Sequence, residues 1–114
     1  MPDLQHLLPL RPVDLQILLV LANANLHGYG VMKAVSEESN GRVALEVGSL
    51  YRVINRLLAS GMVEQVPASG ESGDPRRKHD YAITELGRAA VRAESERLAQ
   101  VLATARARDL GGRA

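Results

Sequence analysis

Gly48-Ser49-Leu50-Tyr51-Arg52-Val53-Ile54-Asn55-Arg56-Leu57-Leu58-Ala59-Ser60-Gly61 is the stretch that decides the fold, and Met62-Val63-Glu64-Gln65-Val66-Pro67-Ala68 follows it directly. Leu50, Val53, Ile54, Leu57 and Leu58 recur at helical spacing and share one face. Ser49, Arg52, Asn55, Arg56 and Ala59 fall on the other, which is short, polar and basic. The pattern predicts a helix over residues 48–60, with Gly61 capping its end. Arginine can donate two hydrogen bonds to guanine and asparagine can pair with adenine. A helix with this outer face suits the DNA major groove. For this helix taken alone, a solvated surface with two arginines is the plain alternative.

Downstream, Met62 to Ala68 suits a strand, with Pro67 marking an edge. Ser69 to Pro75 is rich in Gly and Ser and reads as a flexible turn. Lys78 to Ile83 is a second strand, with His79, Tyr81 and Ile83 on one face and Lys78, Asp80 and Ala82 on the other. The two strands form a hairpin. Arg76, Arg77 and Lys78 stand at its tip, where cations suit phosphate or minor-groove contact. The same run also reads as a solvated guard on an edge strand. Thr84 is a good N-cap, and a long helix is expected from residue 85 to about 108, with a frayed tail to 114.

Upstream, Pro12 suits a first helical turn, and residues 13–25 read as a helix that is apolar nearly all round. Such a helix is buried on more than one side, and the second burial is expected against another chain. Gly28 to Ser39 is a second helix, with Val31, Met32 and Val35 inward and Lys33 outward as a further phosphate contact. Asn40-Gly41 stops it, and residues 43–47 are extended. Residues 1–11 carry no clear pattern. The order is helix, helix, helix, hairpin, long helix. The expected fold is mainly α with a small β-hairpin: a winged helix-turn-helix over residues 1–84, and a C-terminal dimerisation helix with its tail over residues 85–114.

The chain has 114 residues, the size of one ordinary domain, of which 46% are hydrophobic. Its aromatics are three Tyr, with no Phe and no Trp, so the core must be aliphatic. There is no cysteine, which excludes disulfides, thiolate metal sites and cysteine nucleophiles, and fits a cytoplasmic setting. The longest dense apolar run, Ile17 to Ala22, is too short to cross a membrane, and no signal peptide is apparent. His6, His27 and His79 fall on separate elements, so neither a metal site nor a cofactor is expected. No phosphate loop, catalytic triad or carboxylate pair is visible, which argues against an enzyme. The net charge of +1 decides nothing by itself.

Several short motifs carry a resemblance. His27-Gly28-Tyr29-Gly30 opens the second helix, and Gly48-Ser49-Leu50-Tyr51 opens the third. Arg56-Leu57-Leu58, Gly61-Met62-Val63, residues 75–81 (Pro-Arg-Arg-Lys-His-Asp-Tyr) and Ile83-Thr84-Glu85-Leu86-Gly87 follow in order. Together they resemble the PadR family of transcriptional regulators over about residues 15–90. The single helix after the hairpin is similar to the small subfamily, which includes a lactococcal multidrug-sensing repressor. The resemblance implies a dimeric winged-helix repressor on a pseudo-palindromic operator. It implies DNA-facing roles for Ser49, Tyr51 and their neighbours, and a wing at Arg76, Arg77 and Lys78. Arg52 stands where many members carry proline, which adds a cation to the reading face. The tryptophans that line the dimer pore of the multidrug-binding member are absent here.

Leu86, Ala90, Leu98, Val101, Leu102 and Ala105 form a broad apolar face on the last helix. Burial against a second copy, through helices 13–25 and 85–108, is the natural solution. Glu94 lies mid-face with Arg97 near it. Glu94 and Leu98 are candidates for lining an effector cavity, and a partly exposed ion pair is the plainer reading. The expected function is therefore a DNA-binding regulator with double-stranded DNA and a small-molecule effector as partners. A protein-interaction module, or a sensor without operator binding, is the alternative.

Overall fold

In the computed structural model, which describes residues 4–68 and 79–110, seven elements follow in order. They are a short 3-10 turn at Gln5–Leu7, helix α1 (Pro12–Asn23), α2 (Gly28–Glu38), α3 (Val47–Ser60), strands β1 (Val63–Pro67) and β2 (His79–Ile83), and α4 (Glu85–Ala107). The strands pair antiparallel, from Val63 opposite Ile83 to Pro67 opposite His79. The mainly α fold with one hairpin is thus the expected one, and most boundaries shift by a residue or two.

Where boundaries differ, a backbone partner explains it. α1 stops at Asn23 rather than Asn25 because Ala24 turns extended and Leu26 pairs with Tyr81. The Leu26 and Tyr81 amides each donate to the other's carbonyl, at 3.2 and 2.8 Å. β1 starts at Val63 because the Met62 amide still serves α3, donating to the Leu57 carbonyl. That closing bond requires the left-handed Gly61, whose φ is 81°. Asn40 and Gly41 end α2 in the same left-handed region, as their residue types suggest.

The core is aliphatic. Ile17, Leu18 and Leu21 of α1, Val31 and Val35 of α2, and Leu50, Ile54 and Leu57 of α3 are all essentially inaccessible. Met62, Val63, Ile83 and Ala90 complete it. One expectation changes here. The chain's own elements cover most of α1, which packs against α2, α3, α4 and β2, leaving Leu19 as its exposed large hydrophobe. On β2, Asp80 is buried together with Ala82, which shares its face.

The N-terminal segment, which showed no periodicity, is part of the fold. Leu10 is buried, and Leu7 and Leu8 pack on the core. α4 divides into two halves. Gly87, Ala90 and Glu94 are buried against the body, whereas Leu98, Val101 and Leu102 are exposed. No helix among the described residues is long and apolar enough to cross a membrane.

Candidate nucleic-acid interface

α3 is amphipathic, and its inward leucines fix which residues face out. Arg52 and Asn55 are exposed, Tyr51 is 41% exposed and Ser49 is half-buried. Gly48 has open space around its Cα, so the first turn presents bare backbone. Lys33 is exposed on α2. Arg76, Arg77 and Lys78 lie outside the described residues.

Arg56 departs from the expected open face. Its guanidinium grips Asp14 of α1, with Nη2 donating to Oδ1 at 2.5 Å and Nε to Oδ2 at 3.4 Å. Asp14 is 5% exposed and needs a cation once buried. Arg56 is thus engaged in fastening α3 to α1, and among the described residues Arg52 is the exposed cation of the outer face. Asp14 was missed as a functional residue, although a lone acid inside an apolar helix was the available signal.

The first turn of α3 meets the start of α2 through a close approach. A side chain at Gly28 would overlap the Tyr51 hydroxyl, so the phenol rests on bare backbone there. Tyr81, half-buried, comes in from β2. Its phenol pKa lies above the ordinary tyrosine value, first because burial disfavours the phenolate and second because Tyr51 is near.

The proposed ligand pair is not brought together. Glu94 faces inward at 1% exposure, while Leu98 faces outward at 40%. Both Glu94 oxygens are engaged. Arg97 Nε donates to Oε1 at 2.6 Å, and Arg97 Nη2 and the Leu10 amide each donate to Oε2 at 3.0 Å. The Arg97 bonds hold the Glu94 carboxyl below the usual carboxylate range, against the opposing effect of burial. The expectation of a partly exposed ion pair therefore holds for Arg97 but not for Glu94. An open groove of about 320 Å³ lies farther along α4, between Gln100, Val101, Thr104, Ala105, Arg108 and Leu110. No cluster of metal-ligating side chains occurs among the described residues.

Three compact helices, a hairpin and a trailing helix define a winged-helix fold. The structure is similar to a PadR-like transcriptional regulator from Bacillus cereus, with a TM-score of 0.71 at 18% identity over 96% of this chain and 97% of that one. It is also similar to a PadR family regulator from Clostridium difficile, with a TM-score of 0.66 at 14% identity over 82% of this chain and 94% of that one. A third similar structure is the apo form of MarR from E. coli, with a TM-score of 0.63 at 20% identity over 78% of this chain and 58% of that one. No curated protein matches the sequence. Residues 17–93 match the family model described as the transcriptional regulator PadR-like family. The chain belongs to that family, whose members are regulators rather than enzymes.

Proposed function

We propose that the chain is a cytoplasmic, sequence-specific DNA-binding repressor that works as a homodimer. The observation that carries this is the outer face of α3, where Arg52 and Asn55 are exposed while Arg56 is engaged by Asp14. Arg52 and Asn55 read base edges, and Ser49, Tyr51 and Lys33 support them. Arg76, Arg77 and Lys78 meet the phosphates from the wing. The exposed half of α4, with Leu98, Val101 and Leu102, supplies the dimer contact, helped by Leu19. A dimer of this kind places two reading helices in successive major grooves about 34 Å apart.

An effector fits the same scheme. The groove beside Val101 and Leu110 has the volume of a small-molecule site and sits on the dimer helix. Selection of bound duplexes from a random pool tests the reading, and a two-fold symmetric site is expected. Arg52→Ala should then weaken the selected duplex by about 1–3 kcal/mol more than a scrambled one. An equal loss on both duplexes would make Arg52 a phosphate contact only.

A further inference from the structure

The end of α4 does not simply fray. Asp109 takes the left-handed conformation, with φ at 59°. The chain then turns back, so that the Asp109 amide donates to the Arg106 carbonyl at 3.0 Å and the Leu110 amide to the Ala105 carbonyl at 2.8 Å. This closure brings the residue after the turn back towards the last full turn of the helix. Leu110 nevertheless stays 79% exposed, and Val101 stays 52% exposed. The groove of about 320 Å³ lies between them. Val101, Ala105 and Leu110 give it an aliphatic surface, Gln100 and Thr104 add uncharged polar groups, and Arg108 is the charged residue among those that line it.

We propose that this groove takes an aliphatic anion: an amphipathic carboxylate whose chain lies along Val101, Ala105 and Leu110 and whose head meets Arg108. The proposal rests on the effector reading above and names the chemistry of that site. Three observations select this class. The volume is at the lower end of the range for small-molecule sites, and the lining is mostly apolar, which suits a short hydrocarbon chain. All three tyrosines of the chain precede α4, and there is no Phe or Trp, so a flat aromatic ligand has no ring to stack on there. The charge also has one sign. No acid is among the described residues that line the groove. A cationic ligand would otherwise be drawn to the carbonyls at the helix C-terminus. Those of Thr104, Ala105 and Arg106 already accept from the amides of Arg108, Asp109 and Leu110. An arginine fork, by contrast, matches a carboxylate.

The test uses the full chain and three probes of equal chain length and different charge: decanoate, decanol and decyltrimethylammonium. Dissociation constants are measured by calorimetry for the wild type, Arg108→Gln and Leu110→Asn, without DNA and over a range of salt concentrations. The wild type should prefer decanoate to decanol by about three- to fivefold, the size of an exposed charge-assisted pair, and should bind the ammonium most weakly. The preference should shrink as salt rises. Arg108→Gln should remove it by weakening decanoate alone, and Leu110→Asn should weaken decanoate and decanol alike. Decanol bound as tightly as decanoate would overturn the assignment. So would the ammonium binding tightest, a preference that survives Arg108→Gln, binding untouched by Leu110→Asn, or no binding of any probe. Titrating decanoate into the complex with a selected duplex separates the two claims. Binding to the groove without release of the duplex leaves the ligand class standing and removes its role as effector. A protein that selects no duplex but keeps the decanoate preference loses the DNA reading alone.

Discussion

Replacing Arg56 should damage the fold more than replacing its partner, and the two positions separate a structural role from a DNA-reading one. Asp14 is 5% exposed, while the Arg56 side chain keeps 36% of its surface. Arg56→Met leaves a carboxylate buried between α1 and α3 with its cation gone. Breaking a buried pair in this way costs about 3–5 kcal/mol in general. The open side that Arg56 now fills would admit water, so about 2–4 kcal/mol is expected here. Asp14→Asn leaves a cation that can swing into solvent and an amide oxygen that can still accept, which should cost about 1 kcal/mol. Because the two residues touch, the double variant should cost less than the two losses added together. Urea unfolding at one fixed protomer concentration reads all three, since the apparent stability of the proposed dimer would depend on concentration. DNA binding by the variants is then measured well below their unfolding midpoints. The reasoning fails if Arg56→Met is as stable as wild type within about 0.5 kcal/mol and yet loses DNA binding. That result would return Arg56 to the reading face and make its contact with Asp14 incidental.

Glu94→Gln should destabilise the protein at neutral pH. The folded state holds the Glu94 carboxyl below its ordinary value of 4.5, so its contribution is full above that pH and is lost as pH falls beneath it. The gap between wild type and variant should therefore close in acid, and a gap that stays constant in urea titrations down to about pH 3 would refute the assignment. Gly87→Ala should cost about 2 kcal/mol or more in thermal or urea unfolding, because the added methyl meets the Met62 carbonyl and Ile83. Tyr51→Phe should bring the Tyr81 phenol part of the way back towards 10.0 in an ultraviolet titration, since Tyr51 is the smaller of the two causes that raise it. A Tyr81 titration that does not move would separate the two rings.

The parts of this fold legible in the sequence are those with a local cause. α3 shows its leucines at helical spacing and its cap at Gly61, so its outward residues could be named in advance. The hairpin shows itself by two short strands around a Gly- and Ser-rich turn. What stayed hidden depends on partners far along the chain. A helical wheel gives the angle of Arg56 but not the reach of its side chain, which curls back to an acid 42 positions away. Glu94 in the middle of an apolar face is affordable only with donors, and one of them is the Leu10 amide, 84 positions away. The segment before α1 has no periodicity because a strap of this kind is held by single side chains, Leu7, Leu8 and Leu10, rather than by a face. The apolar girth of α1 suggested a second chain because the strap and the first half of α4 could not be seen covering it.

Those same ties constrain how an effector could act. α4 is fastened to the body at three places. Thr84 Oγ1 accepts from the Gly87 amide at 3.1 Å and donates to the Gly61 carbonyl at 2.6 Å, which joins the cap of α3 to the start of α4. Gly87 lies against the Met62 carbonyl, and Glu94 holds Leu10. Motion of α4 against the body that carries α3 would break these bonds together. The groove beside Val101 and Leu110 lies beyond the last of them. In the proposed dimer, a ligand there would act most cheaply by changing how two α4 helices seat on each other, carrying each body along as a unit. The stretch from Glu94 to Ala107, thirteen residue-to-residue steps, spans about 20 Å at 1.5 Å per step. Over an arm of that length, a rotation of about 10° at the proposed dimer contact would move the winged-helix body by about 3.5 Å. That is close to the roughly 3.4 Å rise of one base pair, enough, under the proposed function, to put the second recognition helix out of step with its half-site.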